Sequence, residues 1–170
     1  MGIMANFITG SGSDDNESGK GSMFEIGAGY FTPLGAKFNF ETYGGLGIGG
    51  ITNEYESDKS KVNFMRFFVQ PSIGYSSRGF EAIIATRFAH LNYTSIDHGS
   101  GSYDDLQFLE DHKSSVLFEP SITLRAGWED FKFQLQYVNS NNLSHSEIPM
   151  EKENVSLGVI IDLNSKKKLK

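Results

Sequence analysis

Apolar and polar positions alternate most clearly between Phe64 and Tyr93. Met65, Phe67, Val69, Pro71, Ile73 and Tyr75 are interleaved with Arg66, Phe68, Gln70, Ser72 and Gly74, which are mostly polar or small. After Ser76-Ser77-Arg78-Gly79 the alternation resumes, with Phe80, Ala82, Ile84, Thr86 and Phe88 on one face and Glu81, Ala85 and Arg87 on the other. Ile83 and Leu91 share the charged face. Successive side chains of a strand point to opposite sides, so this pattern predicts two strands with unlike faces joined by a tight turn. The pattern persists well beyond the roughly 5 to 6 residues usual in soluble domains. A tilted strand needs roughly 9 to 11 residues to cross a bilayer. The charges sit mid-strand opposite the aromatic face, where a soluble sandwich meets water and a membrane barrel has its lumen. Length and charge placement together favour a transmembrane barrel.

Eight strand-like segments follow the same rule: Gly2 to Thr9, Met23 to Thr32, Phe38 to Ile51, Val62 to Ser76, Phe80 to Thr94, Ser114 to Trp128, Phe131 to Asn139 and Asn154 to Leu163. No stretch shows competing helical spacing. The expected tight turns are Pro33-Leu34-Gly35-Ala36-Lys37, Ser76 to Gly79 and Trp128-Glu129-Asp130. The expected long polar loops are Gly10 to Ser22, Thr52 to Lys61, Ser95 to Lys113 and Ser140 to Glu153. Alternating short and long connections are what an outer-membrane barrel shows, with short turns on the periplasmic side and long loops outside. That arrangement places both chain ends in the periplasm. A weak internal repeat, Phe68-Val69-Gln70-Pro71-Ser72-Ile73 and Leu117-Phe118-Glu119-Pro120-Ser121-Ile122, puts a proline in each of two strands entering from a long loop. Proline cannot donate to a ladder, so both sites are expected to be bulges or gaps in the pairing.

Four stretches carry a family likeness: Phe24-Glu25-Ile26-Gly27-Ala28-Gly29-Tyr30-Phe31, Phe40-Glu41-Thr42-Tyr43-Gly44-Gly45-Leu46-Gly47, Gln70-Pro71-Ser72-Ile73-Gly74-Tyr75 and Phe118-Glu119-Pro120-Ser121. With them the chain resembles the small outer-membrane β-barrel proteins of Bacteroidetes, many of which carry a lipoprotein-type leader. The resemblance implies a further hairpin upstream of Met1, and hence an N-terminally truncated chain. It transfers no functional residues. Independently of the resemblance, Met1-Gly2-Ile3-Met4-Ala5-Asn6-Phe7-Ile8 is already strand-like rather than a secretory signal segment, which also leads us to expect truncation.

Length bounds the picture at one domain, residues 1–165, followed by a basic tail, 166–170. On the expected topology that tail is a disordered periplasmic end or an anchor on anionic headgroups. The chain has 19 Gly, 14 Phe and 7 Tyr but only 4 Pro. No apolar run is long enough for a transmembrane helix. A mean hydropathy of -0.32 is compatible with a barrel, whose strands show lipid only alternate residues. The net charge of -6 argues against nucleic-acid binding. The absence of cysteine excludes disulfides, thiolate chemistry and Cys-based zinc sites.

Parity places Glu25, Glu41, Arg66, Glu81, Arg87, Glu119, Arg125 and Lys132 away from the aromatics. Buried charges are tolerable only when paired, so these four acids and four bases are expected to form a lumen ion-pair network that plugs the interior and fixes register. A selective pore is the sharper alternative. A barrel of about eight strands, however, is normally filled by its own side chains. The dense Gly44-Gly45-Leu46-Gly47-Ile48-Gly49-Gly50 lacks the strand-to-helix transition and Lys-Ser/Thr partner of a phosphate cradle, and is read as bending or close packing. His90, His98, His112 and His145 lack paired-ligand spacing. Asp97-His98, Asp104-Asp105 and Glu110-Asp111-His112 concentrate oxygen and imidazole ligands in the longest expected loop, and Asp14-Asp15-Asn16-Glu17 lacks the spaced ligands of an EF-hand; both clusters are read as solvated. No metal, cofactor or catalytic residue is expected. Ser144-His145, adjacent in sequence, points two ways and makes a poor triad, so an enzyme is not expected either.

The sequence therefore reads as an all-β, antiparallel, up-and-down transmembrane barrel of the bacterial outer membrane, with a structural or surface-interaction role. Its expected partners are the lipid bilayer and an extracellular ligand or protein met through the long loops, with no nucleic acid. The competing class is a soluble, lipocalin-like barrel binding a small apolar ligand, which would hide the aromatics inside.

Overall fold

In the computed structural model, residues 1–14, 17–55, 58–99, 104–128, 131–145 and 152–161 are described. The strands are β1 Gly2–Asp14, β2 Glu17–Leu34, β3 Phe38–Tyr55, β4 Asp58–Ser77, β5 Phe80–Asp97, β6 Ser114–Gly127, β7 Phe131–Asn139, the two-residue β8 Asn141–Asn142, and β9 Glu153–Ile161. All pairing is antiparallel, in the order β1-β2-β3-β4-β5-β6-β7-β9, with β8 pairing the upper part of β6. The result is an up-and-down sheet curled into a half-barrel. Its two ends, β1 and β9, are not paired with each other among the described residues.

The curl follows from contacts that a flat sheet forbids. Register sets Glu25 of β2 level with Leu91 of β5. Across and along a flat sheet the backbones of Glu25 and Arg87 would therefore lie roughly 20 Å apart, beyond the reach of their side chains, yet Arg87 Nη1 lies 2.9 Å from Glu25 Oε2. Met4 on β1 likewise packs against Phe68, Ala89 and Leu117 on β4, β5 and β6, with Tyr43 of β3 joining them. The small apolar core thus sits on the concave face, among the charges.

Two expected loops are instead strand. The ladder of β1 and β2 continues through Gly10↔Gly21 to Asp14↔Glu17, and that of β3 and β4 through Thr52↔Lys61 to Tyr55↔Asp58. The described parts of Gly10 to Ser22 and Thr52 to Lys61 are therefore paired strand: backbone hydrogen bonds carry the ladder on after the apolar alternation has ended. Ser95 to Lys113 also departs from expectation. It holds the short helix α1, Asp104–Asp111, whose Leu106 is buried. His112 N donates to Phe108 O at 3.0 Å where the helix ends, and the His112 ring stacks on Phe108. The expected basic tail, 166–170, lies outside the described residues.

At both prolines the ladder has a gap. Between β4 and β5 it skips from Val69↔Phe88 to Ser72↔Ala85, and beside β6 it skips from Phe118↔Asn141 to Ser121↔Val138. Neither gap changes the register. The one register shift in β4 lies elsewhere, between Asn63 and Phe64. Two turns are fixed by glycines at positive φ, Gly35 and Gly79, a conformation that costs glycine nothing.

The glycine run of β3 makes room for larger groups. A Cβ on Gly45 would lie 2.3 Å from Ile26 O and 2.6 Å from the Phe68 ring, and one on Gly47 would lie 2.9 Å from Glu25 Cγ. The run is thus the space into which Phe68 and Glu25 fold. Gly→Ala in a strand normally gains about 0.5 to 1 kcal/mol, whereas overpacking costs about 1 to 3 kcal/mol. Gly45→Ala is therefore expected to lower the urea midpoint, while Gly10→Ala, with open space around its Cβ, leaves it unchanged or raises it. Equal midpoints for the two variants would contradict this account of the run.

Candidate functional site

The concave face carries the densest polar chemistry of the chain. Its centre is Glu25, which projects inward from β2 and is 0% exposed. A carboxylate without water needs donors and opposite charge. Arg87 Nη1 donates to both of its oxygens, at 3.2 and 2.9 Å, and Asn6 Nδ2 of β1 donates to Oε2 at 3.4 Å. Arg66 adds a charge contact, Nε to Glu25 Oε1 at 3.4 Å, without hydrogen-bond geometry; this Nε is buried and has no hydrogen-bond partner among the described residues. Arg66 Nη2 instead donates to Glu119 of β6, whose other oxygen accepts from Ser140 Oγ at 3.2 Å. Four charges from β2, β4, β5 and β6 thus form one chain, Glu119 to Arg66 to Glu25 to Arg87.

Arg87 is held on two further sides. Its Nε donates to Gln70 Oε1 at 2.7 Å, and its guanidinium stands 4.6 Å from the centroid of the Phe68 ring. Gln70 occupies the same place in Val69-Gln70-Pro71-Ser72 that Glu119 occupies in Phe118-Glu119-Pro120-Ser121. Each precedes a proline and each accepts from an arginine. The repeat thus supplies the network with two acceptors, one neutral and one charged.

A second cluster lies toward the tight turns. Glu81 of β5 accepts from Arg125 Nη1 at 3.2 Å and from Lys132 Nζ, with Ser76 Oγ also donating at 3.3 Å. Arg125 Nε donates to Gln134 Oε1 at 2.9 Å. Seven of the eight expected lumen charges thus fall into two clusters. Glu41 stands apart: it accepts from Asn39 Nδ2 at 2.6 Å and has no ion pair among the described residues.

Parity alone did not single out Asn6, Gln70, Gln134 and Ser140, which complete the hydrogen bonding, because neutral amides and hydroxyls face inward and outward alike in a polar-rich chain. The histidines lie elsewhere. His98 Nε2 is 3.0 Å from Glu110 Oε1, and His112 and His145 pack edge to face at 4.5 Å. Ser144 Oγ accepts from Val116 N and so supports the backbone rather than a histidine. No group of three or more metal-ligating side chains occurs among the described residues.

The opposite face is apolar. Phe24, Tyr30, Phe67, Phe80, Phe88, Trp128, Phe133 and Tyr137 are exposed, and Phe40, Tyr75 and Phe118 are partly so. The ladder sets Ile73, Ile84 and Ile122 side by side, all facing outward. Comparison of the chain with models of protein families, with curated proteins and with solved structures finds no match.

Such a network can hold a wall in register. Removing one partner of a buried ion pair leaves the other uncompensated and costs about 3 to 5 kcal/mol. Arg66→Ala and Arg87→Ala are therefore each expected to lower the unfolding midpoint sharply. Lys59→Ala, which breaks the exposed pair with Glu54, should leave it unchanged. Equal, small effects from all three would show that the network contributes little.

Proposed function

We propose that this chain is a bacterial outer-membrane β-barrel protein with a structural or surface-interaction role and a lumen plugged by its own charged side chains. The observation that carries this reading is the sidedness of the sheet: apolar and aromatic residues outward, paired charges inward. A soluble barrel uses the opposite arrangement, which keeps its apolar side chains away from water. In lipid the apolar face is solvated and the ion pairs are sheltered. The reading requires both β1 and β9 to find strand partners in the membrane, because backbone groups at an open edge cannot bond to lipid. The strand ends opposite the tight turns, with α1 and the segments after β5 and β7, are then the external surface, where recognition by loops on a rigid scaffold is common.

Fractionation of cells that express the protein from its native gene tests location: the protein is expected in the outer-membrane fraction, and recovery without detergent in the soluble fraction would overturn the reading. Ile84 is 65% exposed at the middle of the aliphatic row. Ile84→Arg is expected to destabilise the inserted protein by about 2 to 4 kcal/mol if it lies at the bilayer midplane. A harmless Ile84→Arg together with a disruptive Arg87→Ile would mean that the faces are inverted.

A narrow channel is the competing membrane reading. The concave face carries the two ion clusters together with Met4, Tyr43 and Phe68, which favours a plug. Planar-bilayer recording is expected to show no stable conductance, and currents that persist with the loops deleted would move the assignment to a pore.

A further inference from the structure

The outer face is graded along the strands at the end opposite the tight turns. One register row, Phe7↔Phe24, Phe24↔Ile48 and Ile48↔Met65, is apolar and exposed across β1 to β4. Two residues further along, the same face carries Thr9, Ser22, Gly50 and Asn63, all small or polar and again in register. Two residues beyond that, Lys20, Thr52 and Lys61 stand side by side on β2, β3 and β4. The small side chains of the middle row leave a recess of ≈ 980 Å³, walled by the apolar row on one side and by Lys20 and Lys61 on the other. Its described lining includes both lysines and no carboxylate. The nearest acids belong to the outer rim: Asp97 is the ladder partner of Lys61, and Glu54, whose carboxyl is held below the usual range chiefly by its hydrogen bond to Lys59, also feels Lys20.

We infer that this recess seats the phosphate of an anionic lipid headgroup, with an acyl chain lying on Phe7, Phe24, Ile48 and Met65. The inference rests on the membrane reading above. Two lysines one strand either side of Thr52, with Cα atoms roughly 10 Å apart, can converge on a single phosphate because their long stems lie along the surface while the ammonium groups reach the headgroup level. The hydroxyls of Thr9, Ser22 and Thr52 and the amide of Asn63 supply neutral donors where phosphate oxygens would lie. The adjoining apolar row explains why a lipid, rather than a free anion, is the fitting occupant: only an amphiphile satisfies both walls of the recess.

The test is native mass spectrometry of the refolded full chain in detergent, titrated in parallel with phosphatidylglycerol and phosphatidylcholine. Wild type is expected to retain phosphatidylglycerol, and the Lys20→Gln/Lys61→Gln double variant is expected to lose about tenfold or more of that preference. Ser22→Leu, which keeps both lysines but fills the recess, is expected to lose it as well. Lys59→Gln, a lysine outside the recess, should retain it. Inorganic phosphate at millimolar concentration should not displace the lipid. Equal retention of the two lipids by wild type, an unchanged preference in the double variant, or displacement by phosphate alone would each overturn the inference. Membrane fractionation of the same proteins separates this from failure of the membrane reading: wild type and variants that all insert yet show no preference sink the site alone, whereas soluble wild type sinks the reading beneath it.

Discussion

Everything else in the sheet accommodates the burial of Glu25. A carboxylate removed from water is costly unless it is ionised against a partner and fully hydrogen-bonded. Here the partners come from β4 and β5, two and three strands away, so satisfying the charge obliges the sheet to curl. The same curl brings Met4 over Phe68, Ala89 and Leu117 and makes a small apolar core beside the ions. The glycines of β3 are the geometric counterpart: any side chain at Gly45 or Gly47 would occupy the volume that Phe68 and Glu25 need. Charge, curl and glycine are thus one constraint seen at three levels.

The apolar residues are displaced outward as a consequence. With ions and a few large side chains filling the concave face, Ile73, Ile84, Ile122 and their aromatic neighbours have only the convex face left. Along β2 the face grades from Phe24 through Ser22 to Lys20, the order that the proposed membrane setting requires from hydrocarbon to headgroup to water. Beyond the apolar row the ladders continue with mostly polar or small residues on both faces.

Much of this was legible in the residue order. Parity assigned Glu25, Arg66, Arg87 and Glu119 to one face and Phe67, Ile84 and Ile122 to the other, because a strand has only two faces and a single misplaced charge is visible against an apolar alternation. Pairing was not legible: which of four acids meets which of four bases depends on curl and register, and both are properties of the whole sheet. Glu41 illustrates the limit, sharing the parity of the network while bonding to Asn39. The strand extensions were missed because Gly10 to Ser22 alternates glycine with serine and lysine, which gives no amphipathic signal although its described backbone pairs regularly. Helix α1 was missed because eight residues with a single buried apolar side chain, Leu106, carry too little periodicity.

The central claim is that alternate residues face lipid and a packed ionic interior, and the chain's lack of cysteine makes it directly measurable. Single cysteines placed in turn at Ala82, Ile83, Ile84, Ala85 and Thr86 of β5, labelled with a nitroxide in reconstituted vesicles, report oxygen accessibility residue by residue. The account predicts a period of two, with high accessibility at Ala82, Ile84 and Thr86 and low accessibility at Ile83 and Ala85. Maxima at Ile83 and Ala85, or no periodicity at all, would contradict it.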